Sequence, residues 1–305
     1  MRIRTLACAS FAILLAWETS PRLLAQDARA AEVLAKTRQA LGGARLDGLK
    51  ALSLEASTSR NMADRQMTGD VEMLLEMPDK YLKSEVSRGM MNMTMNTGFN
   101  GDKAILPAGA TTMGGGMMVF RMGPGGPVAG DAPKLTDEQK AEMNTAAVRS
   151  ARAELSRFML GWFGKAHPSL GATYTYAGEA ESPDGKAHVI DVRSADGFAA
   201  RLFVDQNNHL PLMVTYKARA PRVVTMGGPR GAAHQPAAGS AEPAAEPPLV
   251  EFSLFFDDWK EVDGITFPHV MRRGSGGETN EEWTIGKVKV NPKIDAKKFA
   301  VTETK

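Results

Sequence analysis

The sequence predicts a mostly β fold with some helix: a strongly curved antiparallel half-barrel sheet whose concave face is covered by helices. Three observations predict it. Apolar and polar residues alternate with a period of two through much of the chain. One long amphipathic helix interrupts the strands near the middle. An open antiparallel sheet with one apolar face must be covered, and that helix is the element available to do it.

The elements follow in order. Arg2 and Arg4, an apolar run over residues 6–17, and a polar segment ending in Leu23-Leu24-Ala25 have the layout of a secretory signal peptide. Leu23 and Ala25 suit cleavage before Gln26, and Ala28-Arg29-Ala30 offers a second site further from the apolar run. The reading is a signal peptide over 1–25 and a single domain over 26–305, exported through the Sec pathway to the periplasm. The apolar run is too short to span a bilayer, and no later run is long enough. Asp27 reads as the N-cap of a helix carrying Ala31, Leu34, Arg38 and Leu41, closed by Gly42-Gly43.

Strands come next. Leu52, Leu54 and Ala56 alternate with Ser53, Glu55 and Ser57. Met67, Gly69, Val71, Met73, Leu75 and Met77 alternate with Thr68, Asp70, Glu72 and Glu76, and Leu74 is the one exception. Residues 80–87 and 91–100 continue the pattern. Residues 107–134, rich in Gly, Pro and Met, have no period and read as a long flexible loop. Thr136-Asp137-Glu138-Gln139 is a capping box, and Val148, Ala151, Leu155, Phe158, Met159 and Trp162 form the stripe of a helix over 136–163.

Four strands around Tyr174 and Tyr176, 189–192, 200–204 and 212–216 form a meander. Asp205 to Pro211 is a turn, with Asn207 and Asn208 suited to turn conformations. Residues 218–248, rich in Pro, Ala, Gly and Glu, read as a disordered hairpin insertion. Val250, Phe252, Leu254 and Phe256 resume the alternation, Asp263-Gly264 is a hairpin turn, and 265–272 and 281–290 supply the last strands.

Composition excludes several functions. Cys8, the sole cysteine, lies inside the signal's apolar run, so the mature chain has no disulfide, thiolate nucleophile or cysteine metal site. Thr5 stands three residues before it where a lipobox has leucine, which favours a soluble protein over a lipid-anchored one. The chain has 37 basic and 35 acidic residues; removing Arg2, Arg4, Arg22 and Glu18 with the signal leaves 34 of each. No basic excess points to nucleic acid.

No catalytic set is visible, and the chain does not read as an enzyme. His167, His188, His209, His234 and His269 are not spaced as metal ligands. Asp257 and Asp258 are neighbours on a strand and point to opposite faces. No Gly-x-Ser-x-Gly elbow occurs, and the glycine runs near 114–116 and 123–126 lack the Lys-Ser/Thr ending of a phosphate loop. No cofactor is expected. Met90, Met91, Met93, Met95, Met113, Met117, Met118 and Met122 hint at Cu(I) through their soft thioethers, yet no histidine accompanies them within twenty residues. Methionine also lines adaptable apolar sites.

Three motifs, in order, resemble a known family. Gly69-Asp70 opens a strand that reaches Pro78, with Lys80 starting the next; Asn100-Gly101-Asp102-Lys103 is a turn before Ile105 and Leu106; and Ile294-Asp295-Ala296-Lys297-Lys298-Phe299 lies near the end. Together they resemble the LolA/LolB-type periplasmic lipoprotein carriers and the wider outer-membrane lipoprotein-sorting superfamily, over roughly residues 28–302. The resemblance implies a half-open barrel plugged by helices that binds acyl chains without catalysis. The carriers have an Arg before the strand-ending Pro, helping to latch the lid; here that residue is Met77.

The expected activity is carriage of an acyl chain, a lipidated protein or another hydrophobic ligand, at roughly 0.8 kcal/mol per buried CH₂. The expected cavity lining is Met73, Leu75, Met77, Met91, Met93, Phe158, Met159, Trp162, Phe252, Leu254 and Phe256. The protein is expected to be a monomer with partner proteins at the inner or outer membrane. A non-catalytic lipid sensor or scaffold on the same fold, of the RseB type, is the alternative, and a Met-rich copper binder is the third reading.

Overall fold

The structure is a computed structural model. It describes residues 21–62, 65–88, 93–107, 110–113, 117–120, 122–123, 126–127, 136–183, 185–219 and 248–301. The expectations for residues 1–20, for Met90 and Met91 and for 220–247 of the insertion fall outside these.

Helix α1 spans Pro21–Ala40. It starts earlier than the sequence suggests, because proline at a helix's first turn gives up no intrahelical bond. Asp27 therefore lies inside the helix rather than capping it, and its carboxylate accepts from Thr175 Oγ1 at 3.2 Å. Gly42 and Gly43, both at positive φ, end this segment, followed by a 3-10 turn over Gly43–Gly48. A Cβ on Gly42 would stand 2.7 Å from the Gly264 carbonyl oxygen, so glycine is required at this close approach.

Strands β1 (Ala51–Met62), β2 (Arg65–Glu76), β3 (Lys80–Arg88), β4 (Met93–Asn100) and β5 (Lys103–Ile105) form one antiparallel meander. Two short ladders follow within the Gly/Met-rich segment: β6 (Ala110–Met113) with β7 (Met117–Phe120), and β8 (Met122–Gly123) with β9 (Gly126–Pro127). That segment thus contains paired backbone where the sequence, lacking any side-chain period, reads as loop. Helix α2 (Asp137–Phe163) leads to a second meander: β10 (Thr173–Ser182), β11 (Gly185–Arg193), β12 (Ala199–Asp205), β13 (Pro211–Arg219), β14 (Leu249–Val262), β15 (Ile265–Ser275) and β16 (Glu278–Val290).

The two meanders fuse where β16 pairs with β1, Leu52 opposite Val290. The result is one curved, unclosed twelve-stranded antiparallel sheet in the order β10-β11-β12-β13-β14-β15-β16-β1-β2-β3-β4-β5. The expected fold class holds. Of this sheet's own strands, the two nearest α2 in sequence, β5 and β10, are its opposite edges. The chain must cross the concave face to get from one to the other, and α2 makes the crossing, packing against β4 and β5 at one side and β12 and β13 at the other.

The concave face holds the main core, fed by β1 to β4, α2 and β11 to β16. The convex face has a small second core of Leu74, Leu82, Ile105 and Phe299. Leu74 breaks the alternation of β2 for this reason: it is buried on the other face, under the C-terminal 3-10 turn Ala296–Phe299. Asn100 Nδ2 donates to the Phe299 carbonyl at 3.1 Å and Lys298 pairs with Glu72 at 3.0 Å, holding that turn in place.

The local chemistry matches its signals. Thr136 and Gln139 exchange both bonds of the capping box, and Gly164 closes α2 in the left-handed conformation. Asp263 and Gly264 both take positive φ, as a two-residue hairpin with this sequence requires. In the turn after β12 it is His209 that takes positive φ, while the amides of Asn207 and Asn208 donate to the Asp205 carboxylate. The side chain of Asp205 organises the turn, so neither asparagine has to adopt the left-handed conformation.

Candidate ligand groove and buried charge network

Helix α2 changes character along its length. From Phe158 to Phe163 every residue is buried, whereas among the earlier residues only Val148, Ala151, Leu155 and Ser156 are. The C-terminal half plugs the half-barrel. Gly161 lets it seat closely, since a Cβ there would be 1.9 Å from Phe256 Cζ. The N-terminal half stands off β11 to β13, and between it and those strands lies an open groove of about 1040 Å³. That volume is at the upper end of the roughly 300–1,000 Å³ range of small-molecule sites.

The helix wall of the groove centres on one face, where Gln139, Met143, Ala146, Ala147, Ser150, Ala153 and Arg157 follow each other at steps of three, four or one, and Glu142 and Arg149 also line it. The sheet wall includes Asp191 and Arg193 of β11, Ala200 and Arg201 of β12, and Thr215 and Tyr216 of β13; Leu170 and Phe198 lie at its end. Arg201 pairs with Asp191 at 2.7 Å and Arg193 with the same carboxylate at 3.8 Å.

The residues expected to line a cavity are elsewhere. Met73, Leu75, Phe158, Met159, Trp162, Leu254 and Phe256 do come together, as one packed cluster on the concave face, and Met77 packs at its margin. Phe158 stacks on Trp162 at 5.3 Å and tilts against Trp283 at 5.6 Å. Phe252 is half-buried and stacks on Tyr216 at 5.6 Å. The backbone of Met93 belongs to β4, but its side chain, like the whole of Met91, lies outside the described residues. None of the nine whose side chains are described lines the groove.

Beneath α2 the concave face also carries charge. Lys83 of β3 is buried and contacts Glu154 of α2 at 2.5 Å and Glu85 at 3.0 Å. Glu281 of β16, also buried, is held by Arg60 at 2.8 Å, by Arg273 at 3.5 Å and by the Trp283 indole N–H at 2.8 Å. Burial pushes the carboxyls of Glu154 and Glu281 up, but the cations around them outweigh it. Lys83 and Arg273 hold Glu154 below the usual carboxylate range, and Arg273 and Arg60 do the same for Glu281. Burial pushes Lys83 down, yet Glu154 and Glu85 keep it above the ordinary lysine value. The groups therefore stay charged. Burial, reinforced by Glu154 and Glu85, drives the Tyr81 phenol well up and keeps it neutral.

Two further contacts fix α2. The turn Gly101-Asp102, part of the Asn-Gly-Asp-Lys motif, accepts from Arg152, and Asn144 bridges the Asp102 carbonyl at 2.6 Å and the Ala104 amide at 2.8 Å. Beyond the helix, His167 is buried with Nε2 2.6 Å from the Pro78 carbonyl and Nδ1 2.7 Å from Ser169 Oγ. A carbonyl only accepts, so Nε2 carries the proton. Burial lowers this imidazole's pKa, which keeps it in that neutral form.

The residues considered for chemistry are dispersed. Asp257 pairs with Arg272, and Asp258, at positive φ, with Lys260 at 2.7 Å. His188 contacts the Tyr176 hydroxyl, His269 contacts a carbonyl on its own strand, and His234 lies outside the described residues. Among the described residues no group of three or more His, Cys, Asp or Glu could hold a metal ion. Of the clustered methionines, only Met95 has a described side chain.

No described helix is long and apolar enough to cross a membrane. No protein-family model and no curated protein matches the chain. Solved structures do. A LolA superfamily protein from Nitrosomonas europaea is 10% identical, covering 89% of this chain and 97% of its own, with a TM-score of 0.49. A DUF1329 family protein from Desulfovibrio piger is 12% identical over 92% and 98%, with a TM-score of 0.45. A domain assigned to outer membrane lipoprotein sorting, from Vibrio parahaemolyticus, is 10% identical over 90% and 97%, also at 0.45. Solved structures to which this chain is similar thus include LolA-superfamily, DUF1329 and lipoprotein-sorting proteins, the likeness that its three short motifs imply.

Proposed function

We propose that the protein is a periplasmic, non-catalytic binder and carrier of an acyl chain, belonging to a lipid or a lipidated protein, with the groove under the N-terminal half of α2 as its entry. The observation that carries this reading is the groove itself. It is large, open, and walled on the helix side by a run of small residues, Ala146, Ala147, Ser150 and Ala153, where a chain can lie against the helix. The cluster of Met73, Leu75, Phe158, Met159, Trp162, Leu254 and Phe256 continues from its inner end and would take up a longer chain if α2 lifts; Met77, Met91, Met93 and Phe252 would join at the margins. Donor and acceptor proteins at the two membranes are the partners this function calls for.

The test is native mass spectrometry of the mature protein isolated from periplasm without detergent. Acyl lipid released on denaturation is the expected result. Ala146→Trp, at an exposed position on the helix side of the groove, should abolish that mass while leaving thermal stability within about 0.5 kcal/mol of wild type. A lipid-free wild type that takes up no added fatty acid or lipopeptide would sink the proposal.

A further inference from the structure

Seven charged side chains converge beneath α2: the cations Arg60, Lys83, Arg157 and Arg273, and the carboxylates Glu85, Glu154 and Glu281. Six of them have an ion-pair partner within 4.0 Å among the rest. The seventh, Arg157, has none among the described residues. Its guanidinium lies 4.1 Å from the centre of the Tyr216 ring and 6.0 Å from that of Phe198. Its Nε is shielded from solvent and meets no hydrogen-bond acceptor. The network therefore has one more cation than carboxylates, and the unmatched cation is the one that faces the groove.

A shielded guanidinium N–H with no acceptor is costly, and buried polar groups of this kind are ordinarily satisfied. The aromatic stack fixes the plane of the fork without using its N–H groups, which leaves them to bind an anion. Burial lowers the Arg157 pKa, but a guanidinium remains protonated at neutral pH. The other groove arginines do not offer the same thing, since Arg193 and Arg201 share Asp191 and Arg149 is exposed to solvent. The groove that Arg157 faces also has apolar lining, in Ala153, Leu170 and Ala200.

We infer that Arg157 receives the anionic head, a carboxylate or phosphate, of a long-chain amphiphile whose chain lies along the groove. This rests on the groove being the ligand site. It adds that the ligand carries negative charge, and that the charge is read at the inner end of the groove.

The experiment is displacement of the neutral dye N-phenylnaphthylamine from the delipidated mature protein by palmitate, hexadecyl phosphate and methyl palmitate. At least one of the two anionic amphiphiles should bind about tenfold or more tightly than the ester. In Arg157→Gln that preference should vanish while methyl palmitate still displaces the dye, which also shows that the variant is folded. Arg157→Lys should keep part of it. Equal affinities for acid, phosphate and ester in wild type overturn the inference whether or not any variant folds, and so does an Arg157→Gln protein that keeps the preference. If none of the three displaces the dye, the groove reading itself has failed, a different result from equal binding by all.

Discussion

Lys83 and Glu154 are 71 residues apart in sequence and 2.5 Å apart in space. Each pins the other in a charged state, and together they tie the crossing helix to the sheet. Removing one partner of a buried pair leaves the other uncompensated. Glu154→Gln should therefore destabilise the protein by about 3 kcal/mol in urea unfolding at neutral pH, somewhat less if Glu85 takes over Lys83. The double variant Lys83→Met with Glu154→Leu should recover most of that loss, because neither desolvated charge remains. The pH dependence follows from the directions of the two shifts. Glu154 lies below its unfolded value of 4.5, so its contribution is complete above that value and is lost as pH falls through the folded pKa. Lys83 lies above 10.5, so its contribution is present below that value and lost as pH rises through its folded pKa. The stability gap between wild type and Glu154→Gln should be flat from about pH 5 to pH 10 and should close in acid. A gap that persists at acid pH would show that the lost energy is packing rather than charge. The sequence holds a faint sign of this network. Arg157 follows Ala146, Ser150 and Ala153 at helical spacing, a charge at the end of a run of small residues. Its missing counter-ion, though, depends on which residues from other elements reach it.

At the scale of elements, α2 shows where local preference and packing disagree. Its ends follow local rules: the capping box at Thr136 and Gln139 and the glycine at 164 stand where the sequence marks them. Gly161 does not follow them. In an exposed helix interior, Gly→Ala gains about 1 kcal/mol. Here the added Cβ would meet the Phe256 ring at 1.9 Å, so Gly161→Ala should instead cost about 1–3 kcal/mol, seen as a lowered melting temperature. Combining it with Phe256→Leu should restore part of the loss, and additive effects in the double variant would argue against direct contact. The eleven expected lining residues make the same point. Their apolar faces are readable from the alternation, and seven of them do converge. Periodicity shows which face a residue is on, but not whether the space opposite is filled, so a packed cluster and a cavity wall look alike in sequence. The small-residue run of Ala146, Ala147, Ser150 and Ala153 was the available sign that the open space lies under the other half of the helix.

For the whole molecule, the joining of β16 to β1 sets everything else. It makes β5 and β10 the two edges, sends α2 across the concave face, and places the C-terminal turn on the convex side over Leu74. On either side of the insertion before β14, Arg219 and Leu249 are opposite each other in the β13–β14 ladder. Replacing residues 220–247 by a short Asn-Gly turn should leave the unfolding free energy within about 1 kcal/mol of wild type, because loop-closure entropy changes slowly with length. A larger fall in stability would mean that the segment packs on the domain. The strands of the large sheet, their faces, the long helix, its caps and the hairpin turns were legible in the sequence, because these depend on neighbours a few residues away. The tertiary structure alone decided that β16 meets β1, that the aromatic half of α2 is a plug and the alanine half a groove wall, and that Arg157 is left without a carboxylate. Those outcomes rest on contacts between distant segments, whose geometry no local period encodes.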